Sequence, residues 1–291
     1  MKKRTRLWPL FLNQSFRAVA TSLLALFSSV YIYKILLALT GQEKLALLGV
    51  FAFFLVLNIF KLLAFLLAED FSLKLGLKKQ VYVGVVRLKG KCISLFFSVD
   101  HPGWLCLTPF FWGTAVGFWW FGRHGLMIKI GRKSAFGEEL GTADAIATIF
   151  LLAVPFLGGV LINFAGYQAL FGVSLLFIFL AILVLKPLGE KKTHNDTNLK
   201  EILSLFKTHK RMFLAYLGDA AGVTIYAVVV PLYLFLILQK ELSLGGFFSL
   251  SMILLAVINL LIGRWVDIKG KKAVLSFGAI ISFLVWLGRA L

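Results

Sequence analysis

Long apolar runs alternate with short polar gaps along this chain of 291 residues. A helical run of about 20 apolar residues crosses the hydrocarbon core of a bilayer, which is about 30 Å thick. Because an unpaired strand edge has no hydrogen-bond partner in lipid, we expect each such run to be an α-helix. The runs of sufficient length are 18–39, 45–68, 80–98, 104–122, 142–162, 167–186, 212–238, 246–263 and 273–290. The pattern predicts an all-α integral membrane protein with about nine transmembrane helices.

Composition supports lipid as the main solvent of the chain. The sequence is 60% hydrophobic and 15% charged, whereas a soluble domain is closer to half apolar and a quarter charged. The basic N-terminus precedes an apolar run that is too long for a signal peptide and lacks a small-residue cleavage site, so we expect a retained first helix.

The distribution of Lys and Arg predicts the orientation in the membrane. The net charge of +18 does not indicate nucleic-acid binding, because 26 of the 31 Lys and Arg residues lie in the segments that alternation of the helices places on one side of the membrane. Cytoplasmic loops carry such an excess. We therefore expect a cytoplasmic N-terminus and a location in a prokaryotic plasma (inner) membrane.

The third run is the least typical membrane span, because Arg87, Lys89 and Lys91 lie near its middle. A cation at the centre of a membrane helix costs about 2.5–3.5 kcal/mol on insertion scales. The sequence leaves two explanations open. The helix is short and its cations extend to the interface, or neighbouring helices shield them.

A polar stretch from Lys186 to Arg211 separates six predicted helices from three. It opens on Pro187 and Gly189 and resembles a cytoplasmic linker. The predicted organisation is a six-helix bundle over 1–186, a linker over 187–211, and a partial second bundle of three helices over 212–291.

The ten residues "GRWVDIKGKK" from Gly263 to Lys272 separate the last two apolar runs. A related stretch, "LKLGLKKQVYVG", follows the second run, and its central Gly76 lies 194 residues before Gly270. Tyr31 and Tyr233 are 202 residues apart, which is nearly the same offset. A constant offset indicates an internal repeat, a common construction for secondary transporters.

These features resemble the major facilitator superfamily of transporters, whose signature loop reads G-x-x-x-D-R/K-x-G-R/K-R/K. Five residues match it in the second half: Gly263, Asp267, Gly270, Lys271 and Lys272. In the first half Gly76, Lys78 and Lys79 match, but Leu73 occupies the position of the Asp. The resemblance implies a facilitator-type repeat and says nothing about the substrate.

The resemblance also implies a role for the loop. Asp267 would cap the N-terminus of a neighbouring helix, where free N–H groups favour an anion, and so latch one access state. The partner would be the start of helix 5, "GEELGTADA" from Gly137 to Ala145. The alternative is a purely topological anchor. Pro155, Gly158 and Gly159 match part of a further family motif, for which close helix packing is the favoured interpretation, as it is for Gly113/Gly117 and Gly218/Gly222.

Polar residues inside spans are the candidates for a substrate or ion pathway, because they are costly to keep there. Asp219, about 10 Å into helix 7, is the first of these. A role in a structural ion pair is an equally favoured interpretation of this residue. Lys34, Asn58 and Lys61 are weaker candidates. We expect Gln14 and Arg17 at the interface, and an interfacial aromatic belt in "PFFWGTAVGFWWFG" of helix 4.

The chain contains no nucleophile–base motif, no HExxH and no phosphate-binding loop. We therefore expect no enzymatic activity, no cofactor and no metal. The predicted function is transport of a small solute by alternating access. Because family members have twelve helices, the alternative is a truncated, non-transporting membrane protein or scaffold that assembles with a complementary chain or a second copy. The substrate, the coupling ion and the direction of transport are not specified.

Overall fold

A computed structural model of the chain describes residues 7–131, 136–191, 204, 208–269 and 271–290. Helices account for nearly all of these residues, and no strand occurs among them. In chain order the helices are α1 Trp8–Thr40, α2 Glu43–Leu75, α3 Leu77–Phe97, α4 Thr108–Ile130, α5 Phe136–Leu151, α6 Val154–Leu183, α7 Lys210–Leu238, α8 Glu241–Lys269 and α9 Lys271–Ala290. A short 3₁₀ turn, Pro102–Cys106, precedes α4.

Five helical segments in the described parts are long and apolar enough to cross a membrane. They are Trp8–Thr40, Glu43–Leu75, Gly141–Leu183, Lys210–Leu238 and Glu241–Ile258. Helix α2 shows why lipid is the expected solvent, since Leu55, Leu62 and Leu66 are all exposed on it. The all-α membrane class is confirmed, and the count of nine crossings stays a prediction.

The first helix is longer than the sequence pattern predicts, because it begins at Trp8 rather than near residue 18. Its extra turns carry polar residues that face other helices instead of lipid. Helix α6 begins just before Pro155, which lies in its first turn and needs no backbone N–H there. Within α6, Gly166 has φ +74° and is not helical. It lies in the predicted gap between the fifth and sixth spans.

The chain forms two compact units, Met1–Gly246 and Phe247–Leu291. The first contains α1 to α7 and the first turns of α8. In the second, the rings of Trp265 on α8 and Phe277 on α9 lie 4.9 Å apart, edge to face. The predicted boundaries at 186 and 212 stay a prediction.

Glycines bring α2, α3 and α4 into close contact. A Cβ at Gly117 would lie 2.6 Å from the Ala64 methyl, and one at Gly84 would lie 2.7 Å from the Trp119 backbone nitrogen. Van der Waals packing at small residues drives such association where lipid removes the hydrophobic effect. The expected close packing is confirmed at Gly113 and Gly117, whereas a Cβ at Gly218 would meet nothing within 4 Å.

Two of the three cations of α3, Arg87 and Lys91, are shielded by neighbouring helices, which is the second of the two explanations left open by the sequence. Lys91 is 1% exposed and its ammonium lies 3.0 Å from the centre of the Trp112 ring. Arg87 donates a 3.0 Å hydrogen bond to the Thr114 hydroxyl on α4. Only Lys89 of the three is exposed.

Candidate functional site

The first turns of α1 contribute a buried amide that joins three helices. Asn13 is fully buried, and its Nδ2 donates a 2.8 Å hydrogen bond to the Ala181 carbonyl of α6. Its Oδ1 accepts a 3.1 Å bond from the indole N–H of Trp119 on α4. Both polar atoms of the amide are therefore satisfied, as a buried amide requires.

The next residue, Gln14, holds a buried arginine. Arg123 of α4 donates through Nε to Gln14 Oε1 at 2.8 Å, and a second guanidinium nitrogen also bonds that oxygen. Gln14 Nε2 donates in turn to Asp144 Oδ1 on α5 at 2.6 Å. Asp144 also forms an ion pair with Arg123 at 3.4 Å. The chain of contacts runs from an arginine that is 2% exposed to a carboxylate that is 59% exposed.

Arg17 lies one turn further along α1 and, unlike Arg123, contacts an aromatic ring instead of a hydrogen-bond acceptor in the described part of the chain. Its guanidinium carbon lies 3.4 Å from the centre of the Trp119 ring, a cation–π contact. Its Nε is buried and has no hydrogen-bond partner within the described residues. We call Asn13, Gln14, Arg17, Trp119, Arg123 and Asp144 the polar cluster. Gln14 packs against α4 and α5, and Arg17 packs against α4, so both contact other helices of the bundle. Their expected depth at the membrane interface stays a prediction.

A second contact region, which we call the end contact, lies where α1 ends and α8 begins. Lys34 and Glu241 form an ion pair there, and the Tyr167 hydroxyl of α6 donates to the same carboxylate at 2.9 Å. The Lys34 ammonium also lies 5.0 Å from the Phe235 ring of α7. The Glu241 side chain is only 14% exposed. Three helices and the end of α7 thus meet at one carboxylate.

Backbone packing accompanies the end contact. A Cβ on Gly159 of α6 would lie 2.7 Å from the Glu241 carbonyl oxygen, and one on Gly245 would meet the backbone of Pro155. The segments can approach so closely only because both positions are glycine. The expected packing role of Pro155, Gly158 and Gly159 is therefore confirmed, with the start of α8 as one partner.

The first-half signature residues lie at the turn between α2 and α3. Gly76 has φ +92°, a conformation that favours glycine, and the N–H groups of Lys78 and Lys79 bond the Glu190 carboxylate at 2.8 and 3.2 Å. The Leu77 N–H bonds the Lys191 carbonyl at 2.8 Å. The start of the linker therefore supplies a carboxylate at this turn.

The second-half signature residues mostly lie outside what the structure describes. Gly270, the side chains of Asp267 and Lys271, and the surroundings of Gly263 lie outside what is described, while Lys272 is exposed on α9. The latch at Asp267 stays a prediction.

Of the four pathway candidates, Lys34 alone has a side-chain bond to another helix within the described part of the chain. Asn58 donates to the Phe54 carbonyl of its own helix at 2.8 Å. Lys61 is half-buried, and its backbone lies under Gly113. Asp219 is exposed on the first part of α7. Their roles in transport stay predictions.

Pattern reasoning missed Asn13, Trp119, Arg123, Asp144 and Glu241. Trp119 is 2% exposed, so the prediction of an aromatic belt is wrong for it, although Trp120 is 39% exposed. One signal was available for Arg123. It follows six consecutive aromatic or glycine residues, Gly117–Gly122, with no polar gap between them and the arginine, which favours a continuous helix through this position. No group of three or more His, Cys, Asp or Glu side chains within the described ranges could hold a metal ion.

An all-helical bundle whose lipid-facing surface is apolar and whose interior holds paired charges is typical of membrane transport proteins. Residues 10–291 match the family model of the Major Facilitator Superfamily. The chain belongs to that family, whose members are secondary transporters of solutes and not enzymes. No curated protein matches the chain with significance.

Proposed function

We propose that the protein moves a small solute across a prokaryotic plasma membrane by alternating access, and that the end contact closes one end of the pathway. The observation that carries the proposal is the Glu241 carboxylate, which contacts Lys34 of α1, 207 residues earlier in the sequence, and Tyr167 of α6. The charge distribution predicts that this end faces outward. An ion pair that must break for the end to open biases the equilibrium between the two states.

The contact is well suited to a reversible role. Lys34 is 45% exposed, so water can solvate its ammonium when the pair separates. Pairs with such exposure contribute about 1 kcal/mol or less. The close approach of Gly159 and Gly245 to the facing backbones adds packing but no further charge. The closed end is therefore held weakly enough to open during a transport cycle.

A reporter cysteine tests this role. In a Cys92→Ala, Cys106→Ser background, Leu244→Cys places a fully buried thiol beside the contact. We expect Glu241→Gln to speed labelling of that thiol by a membrane-impermeant maleimide about fivefold, the equivalent of about 1 kcal/mol.

Glu43→Gln is the matched control. Glu43 is the first residue of α2, as Glu241 is of α8, but it is exposed and forms no ion pair within the described residues. Its variant should label at the parental rate. Equal labelling of the Glu241 and Glu43 variants would contradict the proposed closure.

Solute movement is tested by flux into liposomes that contain the purified protein. Asp219 is retained as a proposed coupling residue, together with Asn58 and Lys61 as weaker pathway candidates. Asp267, with Gly263, Gly270, Lys271 and Lys272, is retained as the proposed latch. A complementary chain or second copy is also proposed, and flux by the purified chain alone would show that no complementary chain is needed.

A further inference from the structure

Two cations lie on tryptophan rings along one side of α4. Arg17 of α1 covers Trp119 at 3.4 Å, and Lys91 of α3 covers Trp112 at 3.0 Å, measured to the ring centres. The two tryptophans are seven residues apart, which is nearly two helical turns. They therefore share a face of α4 and are separated by about 10 Å along its axis.

Neither cation has an anionic partner among the residues that the structure describes. Asp144 is engaged by Arg123 and Gln14, and Arg87 is bonded to Thr114. The Nε of Arg17 is buried without a hydrogen bond. A charged group that is withdrawn from water is costly unless it is paired. Arg17 and Lys91 have neither an anion nor a hydrogen-bonded side-chain partner among the described residues, so they call for an explanation other than stability.

The rings offset part of this cost without consuming the donors. A cation–π contact uses the face of the guanidinium and leaves its in-plane N–H groups free. Those N–H groups match the geometry of a carboxylate or a phosphate, which they bind with two parallel hydrogen bonds. The Lys91 ammonium, a compact charge, provides a second cationic position on the same face.

We propose that Arg17 on Trp119 binds the oxyanion of a small organic anion, and that Lys91 on Trp112 is a second station for the same group along α4. The proposal rests on the proposed transport function and names the substrate class as an anion. The shared chemistry is an oxyanion, either carboxylate or phosphate.

Binding is measured by tryptophan emission of the purified protein in lipid nanodiscs. The probes are succinate for a carboxylate, inorganic phosphate for a phosphate, and succinamide as the uncharged counterpart of succinate. We expect a saturable change with succinate or phosphate and none with succinamide. Whichever anion saturates identifies the oxyanion, because the two arms are independent.

Variants then assign the site. Arg17→Gln should weaken anion binding at least tenfold, and Arg17→Lys should weaken it less because the charge is kept. Lys91→Gln should also weaken it. Arg87→Gln is the matched control, since it removes another cation of the same bundle that already has a partner, and binding should be unchanged.

Three results would overturn the anion site: no saturable change with either anion, equal binding of succinamide, or unchanged binding in Arg17→Gln. If Arg17→Gln does not fold, two other variants decide. The anion site is overturned if Arg17→Lys binds the anion as tightly as the parent protein and Lys91→Gln does so as well. The maleimide assay at Leu244→Cys needs no ligand, so failure of the anion site leaves alternating access standing, and the reverse also holds.

Discussion

At the scale of single residues, Gln14 supports the buried Arg123. One amide oxygen accepts from two guanidinium nitrogens, while the amide nitrogen holds Asp144 in place. Asp144 is largely exposed, so its charge is screened and contributes little by itself. The neutral glutamine is therefore more important to the buried guanidinium than the carboxylate is.

Replacement of Gln14 by Leu should destabilise the protein. A hydrogen bond to a charged group contributes about 1.5–3 kcal/mol, and its loss leaves buried Arg123 donors unsatisfied. We expect a melting temperature several degrees lower in detergent. Gln168→Leu, at an exposed position of α6, is the control and should leave the melting temperature unchanged. A smaller loss for Gln14→Leu than for Asp144→Asn would contradict this ranking.

At the scale of elements, the turn between α2 and α3 is bound by the start of the linker. Glu190 accepts from the first N–H groups of α3, which have no partner inside the helix. An anion there is also favoured by the helix dipole. Leu73 occupies the Asp position of the signature loop, so this turn carries no acidic residue of its own at that point, and the linker provides one.

Glu190→Gln should loosen this attachment. A capping side chain contributes about 1 kcal/mol, so we expect amide hydrogen exchange at Lys78 and Lys79 to become about fivefold faster. Asp70→Asn, at an exposed position of α2, is the control and should leave those amides unaffected. Unchanged exchange in Glu190→Gln would show that the backbone bond from Leu77 to Lys191 is sufficient.

At the scale of the whole molecule, the orientation in the membrane remains the main prediction from charge. The chain carries its own reporters, because Cys92 is buried and Cys106 is exposed in the short segment between α3 and α4. That segment should face outward if the N-terminus is cytoplasmic.

An impermeant maleimide should therefore label Cys106 from outside intact cells. Cys92→Ala should not alter the labelling, and Cys106→Ser should remove it. Labelling only after the membrane is opened would reverse the predicted orientation. It would also place the end contact on the cytoplasmic side.

The features that the sequence predicted are those that depend on residues close together along the chain. Transfer of a side chain from water to lipid is a local quantity that sums along a segment, so the apolar runs alone predicted an all-α membrane protein. Lys and Arg act through the same local rule, which is why the alternation of charged gaps could be recognised. Glycine spacing predicted close packing at Gly117 for a similar reason.

Contacts between distant helices were decided by tertiary structure. Asn13 meets the Ala181 carbonyl across 168 residues, and Lys34 meets Glu241 across 207. No pattern within one helix indicates which face meets which neighbour, so the contacts of Gln14 and Arg17 with other helices were not predicted. The sequence by itself determined that these polar residues lie close to or inside a membrane. Only the packing of α1 and α3 against α4 and their other neighbours decided which of them are paired, and placed Arg17 and Lys91 on tryptophan rings with no anion among the described residues.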